Sequence, residues 1–215
     1  MERGRFAEVL ASGAALVPVD LDPAAVDLFY SYYMELVRWN RRINLVSRRQ
    51  HDWIGTHFLD SLAPLGMGLI SGHEKALDLG SGAGFPGLPL RIASPGLRIF
   101  LAEASTRKCA FLRHVVHLLE LDAVKILEGR SEDFQEQATI KGEMDLVLTR
   151  AAARPKRILS WALPFLRPGG RILIYTGRDL VDNKVGNVHP YRGSDGHGDR
   201  VIWEVFAEDI QVVDL

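Results

Sequence analysis

Hydrophobic spacing along the chain changes character near residue 75. Before it, apolar positions keep a helical period: Leu28, Tyr32, Leu36 and Trp39 recur behind Asp22-Pro23, a cap followed by a helix-starting proline. HDWIGTHFLDSLAPLGMGLI (51–70) continues helical until Ser71-Gly72 breaks the run. After it, short apolar runs alternate with amphipathic stretches. KALDLG (75–80), LRIFLAE (97–103), VKILEG (124–129), EMDLVLTR (143–150) and RILIYTG (171–177) read as strands. Helices are predicted from Phe85 to Ile92, from Thr106 to Leu121 and over RPKRILSWALPFL (154–166), with a turn at Arg167-Pro-Gly-Gly. Strands alternating with helices predict an α/β, Rossmann-like, doubly wound and mostly parallel sheet. The expected organisation is an N-terminal helical cap (1–72) on a ligand-binding domain (73–215). Residues 178–200 are polar and weakly patterned, and VIWEVF with DIQVVDL reads as a closing antiparallel pair.

Composition narrows this picture modestly. The 215 residues are 47% hydrophobic and 25% charged, which suits one globular domain with a small extension. A net charge of −1 argues against a global polycation but leaves room for local basic patches. A single cysteine, Cys109, excludes an intrachain disulfide framework. Glu8, Ser12 and Gly13 interrupt the N-terminal apolar run, which reads better as a helix than as a leader. No run of about 18 apolar residues occurs, so no membrane span is expected; the protein is expected in the cytoplasm, as a monomer.

LDLGSGAGFPG (77–87) carries the first chemistry, and it reads in two registers. Gly82-Ala-Gly84-Phe-Pro-Gly87 is a G-x-G-x-x-G, the pattern of a dinucleotide loop. Shifted, Asp78-x-Gly80-x-Gly82-x-Gly84 suggests a methyl-donor site. Glu103 ends the second strand about 20 residues on, where an acid binds ribose hydroxyls in either case. Asp78 discriminates, because it suits the ammonium end of S-adenosylmethionine and would repel a pyrophosphate. GRSEDF (129–134) places Ser131, Glu132 and Asp133 where an adenine edge would lie. Each acid alone can be a structural cap; together they favour the methyl donor over a nicotinamide cofactor.

WNRRINLVS (39–47), HFLDSL (57–62), LDLGSGAGFPGLPL (77–90), RKCAFLRHV (107–115), GRSEDF and TRA (149–151) follow in order. This set resembles the RsmG (GidB) family of bacterial 16S ribosomal RNA guanine-N7 methyltransferases, over about residues 28–177. The resemblance implies the class I methyltransferase fold, S-adenosylmethionine as cofactor, and 16S RNA as partner, within the small subunit or an assembly intermediate. It implies cofactor contacts at Gly80 and Phe85 in the loop, at Glu103, at Ser131 and Glu132, and at Arg150. The chain departs from the family with Thr149 in place of Ser and Thr176 where the family carries lysine. Arg178 stands nearby, and the tail after Gly177 matches poorly.

Guanine N7 carries a lone pair and no proton, so no general base is expected. RNA contacts are expected from two arginine groups. Arg38, Arg41, Arg42, Arg48 and Arg49 surround Trp39, while Arg150, Arg154, Lys156 and Arg157 follow the fourth strand. A solvated helix face is the plainer role for any one of them. His57, Asp60 and Ser61 are expected to support the glycine loop. His114 and His117 lack the further ligands a metal site needs, so no metal is expected. Cys109 reads as a small core residue, and His189 and His197 as tail residues. Two other functions remain: a catalytically lost RNA-binding or assembly protein, favoured by Thr176, and an NAD-dependent oxidoreductase, favoured by G-x-G-x-x-G.

Overall fold

The computed structural model describes residues 1–49, 52–137, 139–150, 154–181, 185–193 and 200–212. Ala151, His197 and the last three residues lie outside these. Helix α1 (Arg3–Ala14) buries Phe6 and Leu10. In α2 (Pro23–Asn40) the Asp22 carboxylate accepts the Ala25 N–H at 2.7 Å, and Pro23 opens the first turn. The buried face of α2 is Ala25, Phe29, Tyr32, Leu36 and Asn40, and Leu28 packs at its margin.

Where one continuous helix was predicted, Ile54–Leu59 is π-helical and α3 is only Ala63–Gly66. The Asp52 carboxylate accepts the Gly55 N–H at 2.8 Å at one end. At the other, Pro64 has no N–H to continue the ladder. The wider turn carries Thr56, His57 and Asp60, whose contacts recur below.

The described residues form a seven-stranded sheet in the order β3-β2-β1-β4-β5-β7-β6. Strands β1 (Lys75–Leu79), β2 (Arg98–Glu103), β3 (Val124–Glu128), β4 (Met144–Thr149) and β5 (Leu166–Gly177) run parallel. Helices α4 (Gly87–Ala93), α5 (Thr106–Leu118) and α6 (Pro155–Ala162) connect them. Strand β7 (Arg200–Phe206) pairs antiparallel with β5 and with β6 (Asn187–Tyr191). One face of the sheet, with Ala76, Ile99, Leu101, Leu148 and Ile202, shares a core with Phe6, Phe29, Tyr32 and Phe58 of the cap. The other, with Leu77, Phe100, Val147, Ile172 and Trp203, packs on Ile158, Leu159 and Phe165. The strand order reverses between β1 and β4, which opens a crevice at their carboxyl ends.

Three expectations are corrected. Where DIQVVDL was expected to start a strand, the described residues form helix α7 (Ala207–Val212). The partner of β7 is β6, drawn from the stretch that showed no pattern; an edge strand containing Pro190 need not alternate. Arg167-Pro-Gly-Gly lies within β5, where a register shift beside Met144 and a Gly169 φ of 74° absorb the irregularity.

Candidate functional site

The glycine loop is held from three sides. Gly80, Gly82 and Gly84 have φ of 75°, 60° and 98°, a region that side chains rarely adopt. A Cβ at Gly87 would lie 2.6 Å from Leu101 Cδ2 and 2.8 Å from Asp78 Oδ2, so the loop returns directly over β1 and β2. Glu103 accepts the Gly82 N–H at 2.9 Å through one oxygen and the Ser105 N–H at 2.8 Å through the other. The Tyr32 hydroxyl of the cap donates to the Ala83 carbonyl.

Asp78 is fully buried beneath this loop. Its Oδ2 accepts the Gly87 N–H at 3.1 Å, while Oδ1 has no hydrogen-bond partner among the described residues. Burial pushes its carboxyl up to about 7, against the opposing pull of the Gly87 N–H, the Ser81 hydroxyl and the Arg150 guanidinium.

Arg150, just past β4, faces the cap. Its Nη2 donates to the Thr56 carbonyl at 3.0 Å and to Asp60, and the guanidinium lies 5.5 Å from the Tyr175 ring centre. Asp60 also accepts from Tyr191 at 2.8 Å and Arg200 at 2.7 Å. Nη1 of Arg150 is buried without a partner among the described residues, as is Nε2 of His57. His57 stacks on Phe85 at 5.1 Å, and Phe85 on Tyr32 at 5.5 Å. Burial, then the Arg150 charge, lowers the His57 imidazole to about 4, so it is neutral at physiological pH. The expected loop support is therefore divided. His57 reaches the loop through Phe85, Asp60 holds Arg150, and the Ser61 carbonyl accepts the Tyr175 hydroxyl at 2.7 Å.

On the opposite side of the loop, a cavity of about 260 Å³ opens at the carboxyl ends of β1 to β4. Gly80, Ser131, Glu132 and Thr149 line it. The Ser131 hydroxyl donates to Glu132 at 2.9 Å, and the Glu132 N–H and this hydroxyl hold the Glu132 carboxyl below its usual range. Asp133 turns away to accept the Arg130 N–H at 2.8 Å. A further wall comes from Ile158, Arg157 and Trp161 of α6, which no motif in the sequence marks as cofactor-facing. Arg157 lies 4.7 Å over the Trp161 ring. Their i, i+4 spacing was the available signal, but it equally describes a core-facing helix.

The structure thus brings Gly80, Ser131 and Glu132 together in one cavity. Asp78, Phe85 and Arg150 gather on the cap side of the loop, and Glu103 ties the loop through Gly82. Phe85 is 7% exposed and packs in the aromatic core. Arg154 and Lys156 are exposed at the start of α6. Arg41 and Arg42 line a separate cavity at the end of α2. Cys109 is buried, with Sγ 3.2 Å from the Glu103 carbonyl. Among the described residues no group of His, Cys, Asp and Glu is placed to hold a metal, and no helix is long and apolar enough to cross a membrane.

A cofactor with an adenosine half and a zwitterionic amino-acid half matches this arrangement. The cavity offers acceptors and a flat indole, while Asp78 Oδ1 and Arg150 Nη1 are an acceptor and a donor with no partner among the described residues. This sheet order, with the glycine loop after β1 and an acid ending β2, defines a class I S-adenosylmethionine-dependent methyltransferase fold. Solved structures share it. M. jannaschii TYW2 in complex with AdoMet superposes with a TM-score of 0.51 at 15% identity, covering 63% of this chain and 68% of that one. The fibrillarin/Nop5p complex gives 0.53 at 18% identity, covering 69% and 83%.

Residues 26–191 match the model of GidB, rRNA small subunit methyltransferase G, and the chain belongs to that family. The ribosomal RNA small subunit methyltransferase G of Caldanaerobacter subterraneus subsp. tengcongensis is 35% identical over 176 residues, 81% of this chain and 74% of the relative. That of Chloroflexus aggregans is 42% identical over 155 residues, 72% and 65% of the two chains.

Proposed function

We propose that the protein transfers the methyl group of S-adenosylmethionine to N7 of a guanine in 16S ribosomal RNA, acting in the cytoplasm as a monomer. The observation that carries this reading is a glycine loop with a cavity of about 260 Å³ on one side and, on the other, Asp78 Oδ1 and Arg150 Nη1 without partners among the described residues, in a chain of the GidB family.

When bound, S-adenosylmethionine supplies a methyl group already activated on a positively charged sulfur. The chain binds and aligns. Asp78 would hold the ammonium of the amino-acid end, and Arg150 its carboxylate. Glu103 would hold the ribose hydroxyls, and Ser131, Glu132 and Trp161 the adenine. Guanine N7 needs no base, so no residue is assigned to proton removal. Positive charge accumulates on the purine as N7 becomes methylated, and the neutral His57 adds none beside it. Arg154 and Lys156, exposed on the same rim as Arg150, suit RNA phosphates. Catalysis then rests on alignment and exclusion of water.

Incubating the protein with methyl-labelled S-adenosylmethionine and small ribosomal subunits that lack N7-methylguanine tests this reading. Label recovered as N7-methylguanine at one position supports it. Label on ribosomal protein, or on another atom of the RNA, overturns it.

A further inference from the structure

The arginines at the end of α2 sit around a cavity of their own. It measures about 280 Å³ and is lined by Arg38, Trp39, Arg41, Arg42 and Ile43. This is just below the range of pockets that enclose drug-sized ligands, about 300 Å³ upward, and suits a single ring system.

Its aromatic wall is fixed in place. Trp39 Nε1 donates to Glu35 at 3.1 Å, and the ring meets Phe111 edge-on at 5.6 Å and His114 at 5.4 Å. Glu35 is also bound by Arg38 at 3.1 Å and His114 at 2.6 Å. The rim is fixed as well. The buried Asn40 accepts the Leu45 and Val46 N–H groups at 2.8 and 3.1 Å and donates to the Val46 carbonyl at 3.1 Å, which sets the turn bearing Arg41, Arg42 and Ile43.

The arginines divide into two kinds. Arg48 bonds the Asn40 and Arg41 carbonyls at 2.9 and 3.2 Å, so it completes the helix end. Arg38 is paired with Glu35. Arg41 and Arg42 are exposed, and among the described residues their side chains have no ion-pair or hydrogen-bond partner. Two free guanidinium groups over a rigid aromatic wall match what single-stranded nucleic acid requires: cations for phosphates and a platform for one base.

We infer that this cavity is a second RNA contact, separate from the methylation site. It takes one unpaired base against Trp39, with the flanking phosphates held by Arg41 and Arg42. The inference rests on the protein's acting on RNA, and it assigns the cap the task of gripping a single-stranded segment beside the target.

The test uses the full chain and a fluorescent, mixed-sequence single-stranded RNA followed by anisotropy. The double variant Arg41→Ala/Arg42→Ala should weaken binding about tenfold or more. Losing two phosphate contacts should also make the dependence of log K on log salt shallower by about 1.4, at about 0.7 per contact for single strands. Binding of S-adenosylhomocysteine and the melting temperature should stay unchanged. Ultraviolet cross-linking of the wild type to the same RNA should place an adduct on Trp39. Unchanged RNA affinity and salt slope in the double variant would overturn the inference, as would adducts confined to other residues. Because anisotropy needs no methyl transfer, the two readings fail separately. Absent methylation with this binding intact counts against the reaction, and intact methylation with unaltered RNA binding counts against the cavity.

Discussion

Asp60 and Arg150, ninety residues apart, form a buried ion pair that joins the N-terminal cap to the end of β4. The Asp60 side chain is only 2% exposed and binds Tyr191 and Arg200 as well, so one carboxylate locks the cap onto β4, β6 and β7. Replacing it leaves two guanidinium groups without their buried anion. Asp60→Ala is expected to destabilise the protein by about 3 kcal/mol, read from denaturant unfolding. It should also weaken cofactor binding, because Arg150 loses the partner that orients it. Wild-type affinity in a folded Asp60→Ala protein would remove Asp60 from that positioning role.

Glu103 supports the loop even before any ligand is considered, since it accepts from both Gly82 and Ser105. Glu103→Ala should lower the melting temperature and reduce S-adenosylhomocysteine affinity by at least about tenfold, for loss of a charged hydrogen-bond acceptor. Glu103→Gln keeps one acceptor oxygen and should lose less of both. Calorimetry on the pair separates ribose binding from loop support: an alanine variant that is less stable but binds normally leaves only the latter.

Two buried groups give opposite pH signatures. Asp78 titrates at about 7 in the fold against about 3.9 unfolded, so the native state holds an extra proton between these values. Its contribution to stability therefore falls as pH rises through that window. His57 titrates at about 4 against about 6.5 unfolded, so its contribution is lost as pH falls from about 6.5 towards 4. Asp78→Asn should remove the first effect and leave a steeper net rise in stability from pH 4 to 6.5. Cofactor affinity should increase from pH 6 to 8 as Asp78 ionises to meet the ammonium, and become flat in Asp78→Asn. Arg150, Glu103 and Tyr32 are the charged and titratable groups that act on this carboxyl.

Trp161 lines the cavity together with Glu132. Its fluorescence should change on addition of S-adenosylhomocysteine, and the response should disappear in Trp161→Phe. Trp161→Ala should raise the dissociation constant about tenfold, because base–aromatic stacking is worth about 1–3 kcal/mol. An unaltered constant would leave the indole as wall packing only.

These residues mark what was legible in the chain. The strands from Lys75 to Thr149, the loop and Glu103 follow from period and spacing, because each is local or set by a fixed crossover length. The Asp60 network is not local: its members come from four elements, and no spacing links them. Trp161 looked like any apolar residue on a helix face. Strand β6 escaped because an edge strand is not obliged to alternate. Helix α7 was misread because DIQVV alternates like a strand, although Glu208 and Asp209 in its first turn are the acids a helix start favours.

Asp78 and Arg150 are the residues assigned to the amino-acid end of the cofactor. Calorimetric titration with S-adenosylhomocysteine and with methylthioadenosine, which lacks that end, tests that assignment most directly. The wild type should bind the former far more tightly, and the gap should shrink strongly in Arg150→Ala and in Asp78→Asn while methylthioadenosine affinity stays nearly constant. A gap that survives undiminished in both variants would remove Asp78 and Arg150 from that role.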